Sequence, residues 1–212
     1  MNRVAIDENA PNLYLLGFMG TGKTALGRRI AERLGMRFLD SDAEIEKQCA
    51  MTASEIFQKL GEEKFREMER AFIESGHPAS RCVVSCGGGL CCREGMPELL
   101  KSKGVCVVLF SKPEEIFART SRNDSRPLLN VENPLERIRS LLKEREPFYA
   151  RSGIAVATDK SLDATEERII RIYLSDRRVK KFRPPARTGK NRGAKPRPRQ
   201  GENPRTPPRE EK

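Results

Sequence analysis

The sequence predicts an α/β fold, a three-layer αβα sandwich around a five-stranded parallel sheet. Two observations predict it. Five short apolar runs alternate with helix-patterned stretches over residues 1–176, the order that βαβ units with right-handed crossovers produce. A glycine-rich turn joins the first run to the first helix, at the sheet edge where open α/β folds bind ligands.

The elements follow in order. Asn12–Gly17 (NLYLLG) is a short apolar run that suits a buried parallel strand. From Lys23 to Leu34, Ala25, Leu26, Ile30, Ala31 and Leu34 recur at helical spacing, and Gly35 serves as the C-cap. Arg37–Asp40 is the second strand. A helix is expected from about Ala43 to Ala50 and another from near Ser54. Glu62–Ser75 is a longer amphipathic helix with Phe65, Met68, Glu69 and Phe72 near one stripe. Arg81–Cys86 is the third strand and Gly104–Phe110 the fourth. Pro113–Thr120 and Pro134–Tyr149 are helices, Ile154–Ala157 is the last strand, and Ala164–Leu174 is the last helix. No internal repeat is present.

Charge divides the 212 residues unevenly. Residues 177–212 hold 14 Lys and Arg against 3 acids, together with 7 of the 14 prolines; the other 176 residues hold 27 basic and 27 acidic side chains. A segment so polar buries too little apolar surface to offset its ordering entropy. The expected organisation is therefore a folded domain over 1–176 and a disordered basic tail over 177–212. Such a tail suits a polyanion such as nucleic acid, or serves as a solubilising extension. No run approaches the roughly 18 apolar residues of a membrane span. The start, MNRVAIDENAPN, lacks the apolar core of a signal peptide, so a cytoplasmic location is expected. Six cysteines (Cys49, Cys82, Cys86, Cys91, Cys92 and Cys106) include no C-x-x-C pair, and the single histidine, His77, lies in another segment. They read as reduced, partly buried thiols rather than as a metal site.

Gly17 to Thr24 (GFMGTGKT) satisfies G-x-x-x-x-G-K-[ST] at every fixed position, between a buried strand and a helix. Glycines let the backbone curl so that successive N–H groups face phosphate oxygens, and the helix N-terminus adds its positive dipole end. Gly20, Thr21, Gly22, Lys23, Thr24 and Ala25 are the expected nucleotide-binding residues. Lys23 reaches toward the β- and γ-phosphates. The Thr24 hydroxyl suits Mg²⁺, a hard cation that prefers oxygen ligands. The motif thus predicts binding of ATP or GTP together with Mg²⁺.

Four further segments carry chemistry. Asp40-Ser41-Asp42 follows the second strand, beside the phosphate loop. Gly61 to Glu69 reads GEEKFREME. Ser85-Cys86-Gly87-Gly88-Gly89 ends the third strand. Arg126-Pro127-Leu128-Leu129 lies in a polar loop, and Arg145 in KEREPFYARSG. On residues alone, a D-x-D run also suits helix N-capping, and Arg66 within KFREMER also suits a solvated helix face.

Taken together, D-S-D, G-E-x-x-F-R-x-x-E, G-G-G and R-P-L-L, in this order from about Leu13 to Leu174, resemble the shikimate kinase family. The resemblance implies a P-loop NTPase fold of the nucleoside monophosphate kinase type. It implies transfer of the γ-phosphate of Mg-ATP to the 3-hydroxyl of shikimate, in the route to chorismate and the aromatic amino acids. It assigns Asp42 as the base that meets the substrate hydroxyls and Asp40 as a Mg²⁺ ligand through water. Arg66 and Arg145 would hold the substrate carboxylate, and Gly87, Gly88 and Gly89 would bring backbone against the substrate. Arg126 would swing over the phosphates as a lid residue, joining Asp42 and Lys23 as catalytic groups, and Arg119 would stack on adenine. Cys86 and the Cys91-Cys92 pair are unusual choices around the triglycine, and the basic tail lies outside the family's core. The partner implied is the small-molecule substrate, met by a monomer with no membrane contact, and with nucleic acid only through the tail.

Two other readings fit parts of the pattern. A gluconate kinase of the same fold would also use paired arginines for a sugar acid. An inactive kinase-like binding module would be expected to have lost one of Lys23, Thr24, Asp40, Asp42, Arg66, Arg126 or Arg145, and all are present.

Overall fold

The computed structural model describes residues 4–121, 131–159 and 161–179. Five strands form one parallel sheet: β1 (Asn12–Gly17), β2 (Arg37–Asp40), β3 (Cys82–Ser85), β4 (Gly104–Phe110) and β5 (Ile154–Ala157), in the order β2-β3-β1-β4-β5. The helices are α1 (Lys23–Leu34), α2 (Ser41–Cys49), α3 (Ala53–Leu60), α4 (Glu62–Ser75), α5 (Met96–Lys103), α6 (Pro113–Thr120), α7 (Pro134–Ser152) and α8 (Leu162–Ser175).

The period-2 alternation of the strands divides the core between two helical layers. Leu13 and Leu15 of β1, with Val105, Val107 and Leu109 of β4, face Leu26, Ile30 and Leu34 of α1 and Ile169, Ile170 and Tyr173 of α8. Tyr14 and Leu16, with Cys106 and Val108, face the opposite layer, built from Ile45, Ile56, Phe65, Phe72, Leu100 and Tyr149. All six residues of β1 are buried, as a central parallel strand requires. α1 is clamped to α8 from the side. Arg29 and Arg33 both donate to Glu166, which is 1% exposed, and also pair with Asp163 and Glu167. His77 sits between the rings of Tyr14 and Phe72. Its Nε2 lies 3.2 Å from the Tyr14 hydroxyl.

Several expectations shift. α2 starts at Ser41 rather than Ala43, which puts Asp42 in its first turn. Ala25 is exposed, not on the core stripe. Gly27 takes the core-facing place, where a Cβ would lie 2.6 Å from the Phe38 ring. α7 runs on to Ser152 with Pro147 inside it. α5 was not anticipated, although Pro97 lies at its start. Arg177–Val179, at the start of the expected tail, are described. Arg178 donates to the carbonyls of Lys101 and Gly104, and Val179 joins the core. Residues 180–212 lie outside the described residues.

Candidate functional site

Strand register gathers the site at the carboxyl ends of β2, β3 and β1. Asp40 pairs with Ser85, and Ser85 with Leu15, two residues before the phosphate loop begins. The loop then turns into α1 through Gly22, whose φ of 91° is the left-handed conformation glycine tolerates. Lys23 is buried, and its Nζ donates to the carbonyls of Gly17 and Phe18 at 2.8 Å. Thr21 fastens the loop by donating to Phe18 O at 2.7 Å. The Thr24 hydroxyl donates to Asp40 Oδ2 at 3.1 Å and lies 3.3 Å from Ser85 Oγ. Asp40 is the N-cap residue of α2, yet its side chain makes no capping hydrogen bond. Its carboxylate turns to the phosphate loop instead, so N-capping does not account for it. Thr24, Asp40 and Ser85 form an all-oxygen donor set, which fits a hard divalent cation. Arg119 donates to Gly20 O at 3.2 Å and Ser111 Oγ at 3.0 Å, which ties α6 to the loop.

A cavity of about 430 Å³ is lined by Gly20, Gly22, Lys23, Thr24 and Ala25 on one side and by Asp40, Asp42 and Ser85–Gly88 on the other. It thus joins the phosphate loop to the expected acceptor residues. Asp42 accepts from Ser41 Oγ, and the same hydroxyl accepts from the Gly87 N–H at 2.9 Å. Burial, then the neighbouring Asp40 carboxylate, raises the Asp42 carboxyl above the ordinary carboxylate range. Gly87 gives the two carboxylates room: a Cβ there would overlap Asp42 Oδ1 and lie 2.9 Å from Glu69 Oε1, so both side chains would have to shift. Gly88 O receives Tyr149 Oη at 2.8 Å and Arg145 Nη1 at 3.4 Å. Arg145 also lies over the Phe18 ring, 5.4 Å from its centroid, so it touches the phosphate loop.

Arg66 is no solvated helix residue. Its side chain is 16% exposed, lies by the rings of Phe57 and Phe65, and pairs with Glu69 at 2.7 Å and Glu62 at 3.0 Å. Its guanidinium abuts Gly89, where a Cβ would be 3.0 Å from Nη2. Glu69 is 2% exposed. One of its oxygens is held by Arg66, while Oε1 has no hydrogen-bond partner among the described residues and faces Gly87. Burial, opposed by Arg66, pushes its carboxyl up to about 7. A smaller cleft of about 300 Å³ lies along α4 and includes Arg66 and Glu69, but Arg70 and Arg93 on its wall already pair with Glu74 and Glu63.

Lys23, Thr24, Asp40, Asp42, Gly87 and Gly88 therefore meet around one cavity, with Arg145 held on Gly88, Arg66 on Gly89 and Arg119 on the loop. Arg126 and the R-P-L-L segment lie outside the described residues. Sequence reasoning missed four contributors: Ser41, Ser85, Glu69 and Tyr149. Ser41 and Ser85 sat inside the quoted D-S-D and S-C-G-G-G strings, where their hydroxyls were a readable signal. Glu69 was read as a member of a helical stripe and as the last residue of G-E-x-x-F-R-x-x-E, but was given no role. Tyr149 carried no signal, because its partner Gly88 is 61 residues away.

A family model described as shikimate kinase matches residues 19–176. A shikimate kinase from Caldanaerobacter subterraneus is 40% identical over 77% of this chain and 96% of its own length. One from Thermodesulfovibrio yellowstonii is 42% identical over 76% and 94%. Among solved structures, a shikimate kinase from Acinetobacter baumannii in complex with shikimate aligns with a TM-score of 0.72 and 39% identity, covering 79% of this chain and 93% of that one. A gluconokinase from Sinorhizobium meliloti aligns with a TM-score of 0.51 at 17% identity, which shows a shared fold alone.

Proposed function

The chain belongs to the shikimate kinase family, and from that premise we infer that it transfers the γ-phosphate of ATP to the 3-hydroxyl of shikimate, releasing ADP. The observation that carries the reading is the single cavity bounded by both Lys23 of the phosphate loop and the Asp42 carboxylate. Phosphoryl transfer needs little covalent help from the protein; it needs an in-line hydroxyl and neutralised phosphate charge.

Asp42 is the group that takes the hydroxyl proton. Its raised carboxyl is a stronger base than an ordinary aspartate, and a positioned base contributes about 10²–10⁴-fold. The Gly87 N–H, through Ser41 Oγ, holds that carboxylate in place. Arg66 and Arg145, on either side of the triglycine, hold the shikimate carboxylate by two-pronged guanidinium contacts. The N–H groups of Gly20–Ala25, Lys23 and the lid residue Arg126 surround the phosphates, and Arg119 lies beside the adenine. Thr24, and Asp40 through water, would hold Mg²⁺, which supplies charge neutralisation at the β- and γ-phosphates.

The same reading makes the enzyme a cytoplasmic monomer. No helix among the described residues is long and apolar enough to cross a membrane. It leaves any nucleic-acid contact to the basic tail, and equal salt-dependent binding by the full chain and by a chain lacking 177–212 would exclude that contact.

The deciding measurement is coupled ADP release with Mg-ATP and shikimate, with gluconate and acceptor-free controls. ADP release dependent on shikimate alone is expected. Turnover of gluconate at the same rate, or of neither acid, would overturn the reading.

A further inference from the structure

The Gly88 carbonyl, on the cavity wall, is shared by donors of unequal quality. Tyr149 Oη donates to it at 2.8 Å, an ordinary O–H···O length. Arg145 Nη1 reaches it only at 3.4 Å, beyond the roughly 2.7–3.2 Å of a well-made N–H···O bond. The Cys92 thiol, 4.0 Å away, is the weakest of the three. The difference follows from how each side chain is held. Tyr149 is buried in the core layer that contains Leu100 and Val108, and its ring lies edge-on to Phe110 with centroids 6.2 Å apart. Close packing around the ring fixes the hydroxyl. Burial also raises the phenol above its ordinary range, so it stays a donor at neutral pH. Arg145 lies one turn earlier on the same face of α7 and is half-buried. Among the described residues no carboxylate pairs with it, whereas Arg66 holds both Glu62 and Glu69. Leaving a carbonyl without a donor costs more than one hydrogen bond gains. With Tyr149 in place, Arg145 can leave Gly88 O without orphaning it.

We propose that Tyr149 is a positioning residue for the acceptor: its hydroxyl satisfies Gly88 O and so leaves the Arg145 guanidinium available to the acceptor carboxylate. The inference rests on the assignment of Arg145 to that carboxylate. Without the hydroxyl, Arg145 would be the one close donor left to Gly88 O, and it would be drawn to the carbonyl and withheld from the substrate. Apparent affinity then falls with the fraction of molecules in which the guanidinium is available. The effect is confined to recognition of the carboxylate. It leaves the transfer step alone, and it leaves the phosphate loop alone, because Thr21 and Lys23 hold that loop through its own carbonyls.

The test is Tyr149→Phe, which removes the hydroxyl and keeps the ring. Parent and variant are titrated by calorimetry with shikimate and with its methyl ester, which retains the hydroxyls and lacks the carboxylate charge. The Kd for shikimate should rise about fivefold, with the Kd for the ester within about twofold. The kcat at saturating shikimate and the KM for ATP should also stay within about twofold, which a general loss of structure would not allow. In an Arg145→Met background there is no guanidinium to withhold, so adding Tyr149→Phe should change the shikimate Kd less than about twofold. Equal weakening for shikimate and ester, or a further fivefold loss in the Arg145→Met background, would make Tyr149 a prop of the whole triglycine and overturn the proposal. An unchanged shikimate Kd, or a Tyr149→Phe chain that does not fold, would overturn it as well. Each of these results leaves the carboxylate assignment standing as long as the parent prefers shikimate to the ester. A parent that binds both equally would remove that assignment, and the proposal with it.

Discussion

The two ends of the cavity are built differently. At the end proposed for the nucleotide, one stretch of chain, the phosphate loop with the start of α1, lines the cavity. Its side chains mostly serve the loop itself: Thr21 and Lys23 both bond to loop carbonyls. At the acceptor end, Asp42, Arg66, Glu69, Gly87–Gly89 and Arg145 come from four separate segments. They meet through side chains, and two of the buried carboxyls are held away from their ordinary titration range. A backbone cradle is insensitive to most substitutions. A cradle of buried charges depends on each member, because removing one leaves its partners unpaired.

The largest expected effect separates the two ends. Asp42→Asn keeps the shape of the side chain and removes the base. The kcat should fall about 10²–10⁴-fold, while the ATP dissociation constant changes less than about twofold. Steady-state kinetics and ATP titration check both. A kcat within a few-fold of the parent would remove Asp42 from the role of base. A matching loss of ATP affinity would show that the two ends are one electrostatic unit.

Glu69 tests the electrostatics of the acceptor end by itself. Its folded carboxyl sits near 7 against an ordinary 4.5. The folded state therefore keeps a proton that the unfolded chain has released, so this stabilisation is complete below about pH 4.5 and is lost as pH rises through about 7. The loss amounts to about 3 kcal/mol. Glu69→Gln cannot titrate and should lack that slope. In urea unfolding, the parent should lose ground to the variant from pH 5 to pH 8. Parallel stability curves would mean that Glu69 is ionised throughout and that Arg66 compensates fully for its burial.

The same contrast explains what was legible in the sequence. β1, the phosphate loop and α1 lie within Asn12–Leu34, so strand run, glycines and helix period could be read together. Even there Ala25 was misplaced, because the core-facing preference of Gly27 depends on the Phe38 ring of the next strand. D-S-D was visible as a pair of acids, but its local alternative, helix capping, could be set aside only when Asp40 was seen turned to Thr24. On residues alone Arg66 also suited a solvated helix face, and Glu69 was placed on the stripe with Phe65, Met68 and Phe72. Their burial is created by Phe57 and by the triglycine of another strand, and no window around α4 contains that information.

The smallest effect probes a contact that crosses between the ends. Arg145 bonds to Gly88 at the acceptor side and lies over Phe18 of the phosphate loop. Arg145→Lys retains the positive charge but loses the planar fork and the face that packs on the ring. If Arg145 serves the acceptor carboxylate, the KM for shikimate should rise about tenfold, equivalent to about 1.4 kcal/mol, with the KM for ATP within about twofold. Initial rates with each substrate varied at saturating levels of the other separate the two constants. Equal rises in both would refute the carboxylate role, and would instead make the Phe18 contact a structural strut of the phosphate loop. A rise for shikimate alone would mean that the loop keeps its shape without the stack, as expected of a cradle held by its own carbonyls and hydroxyls.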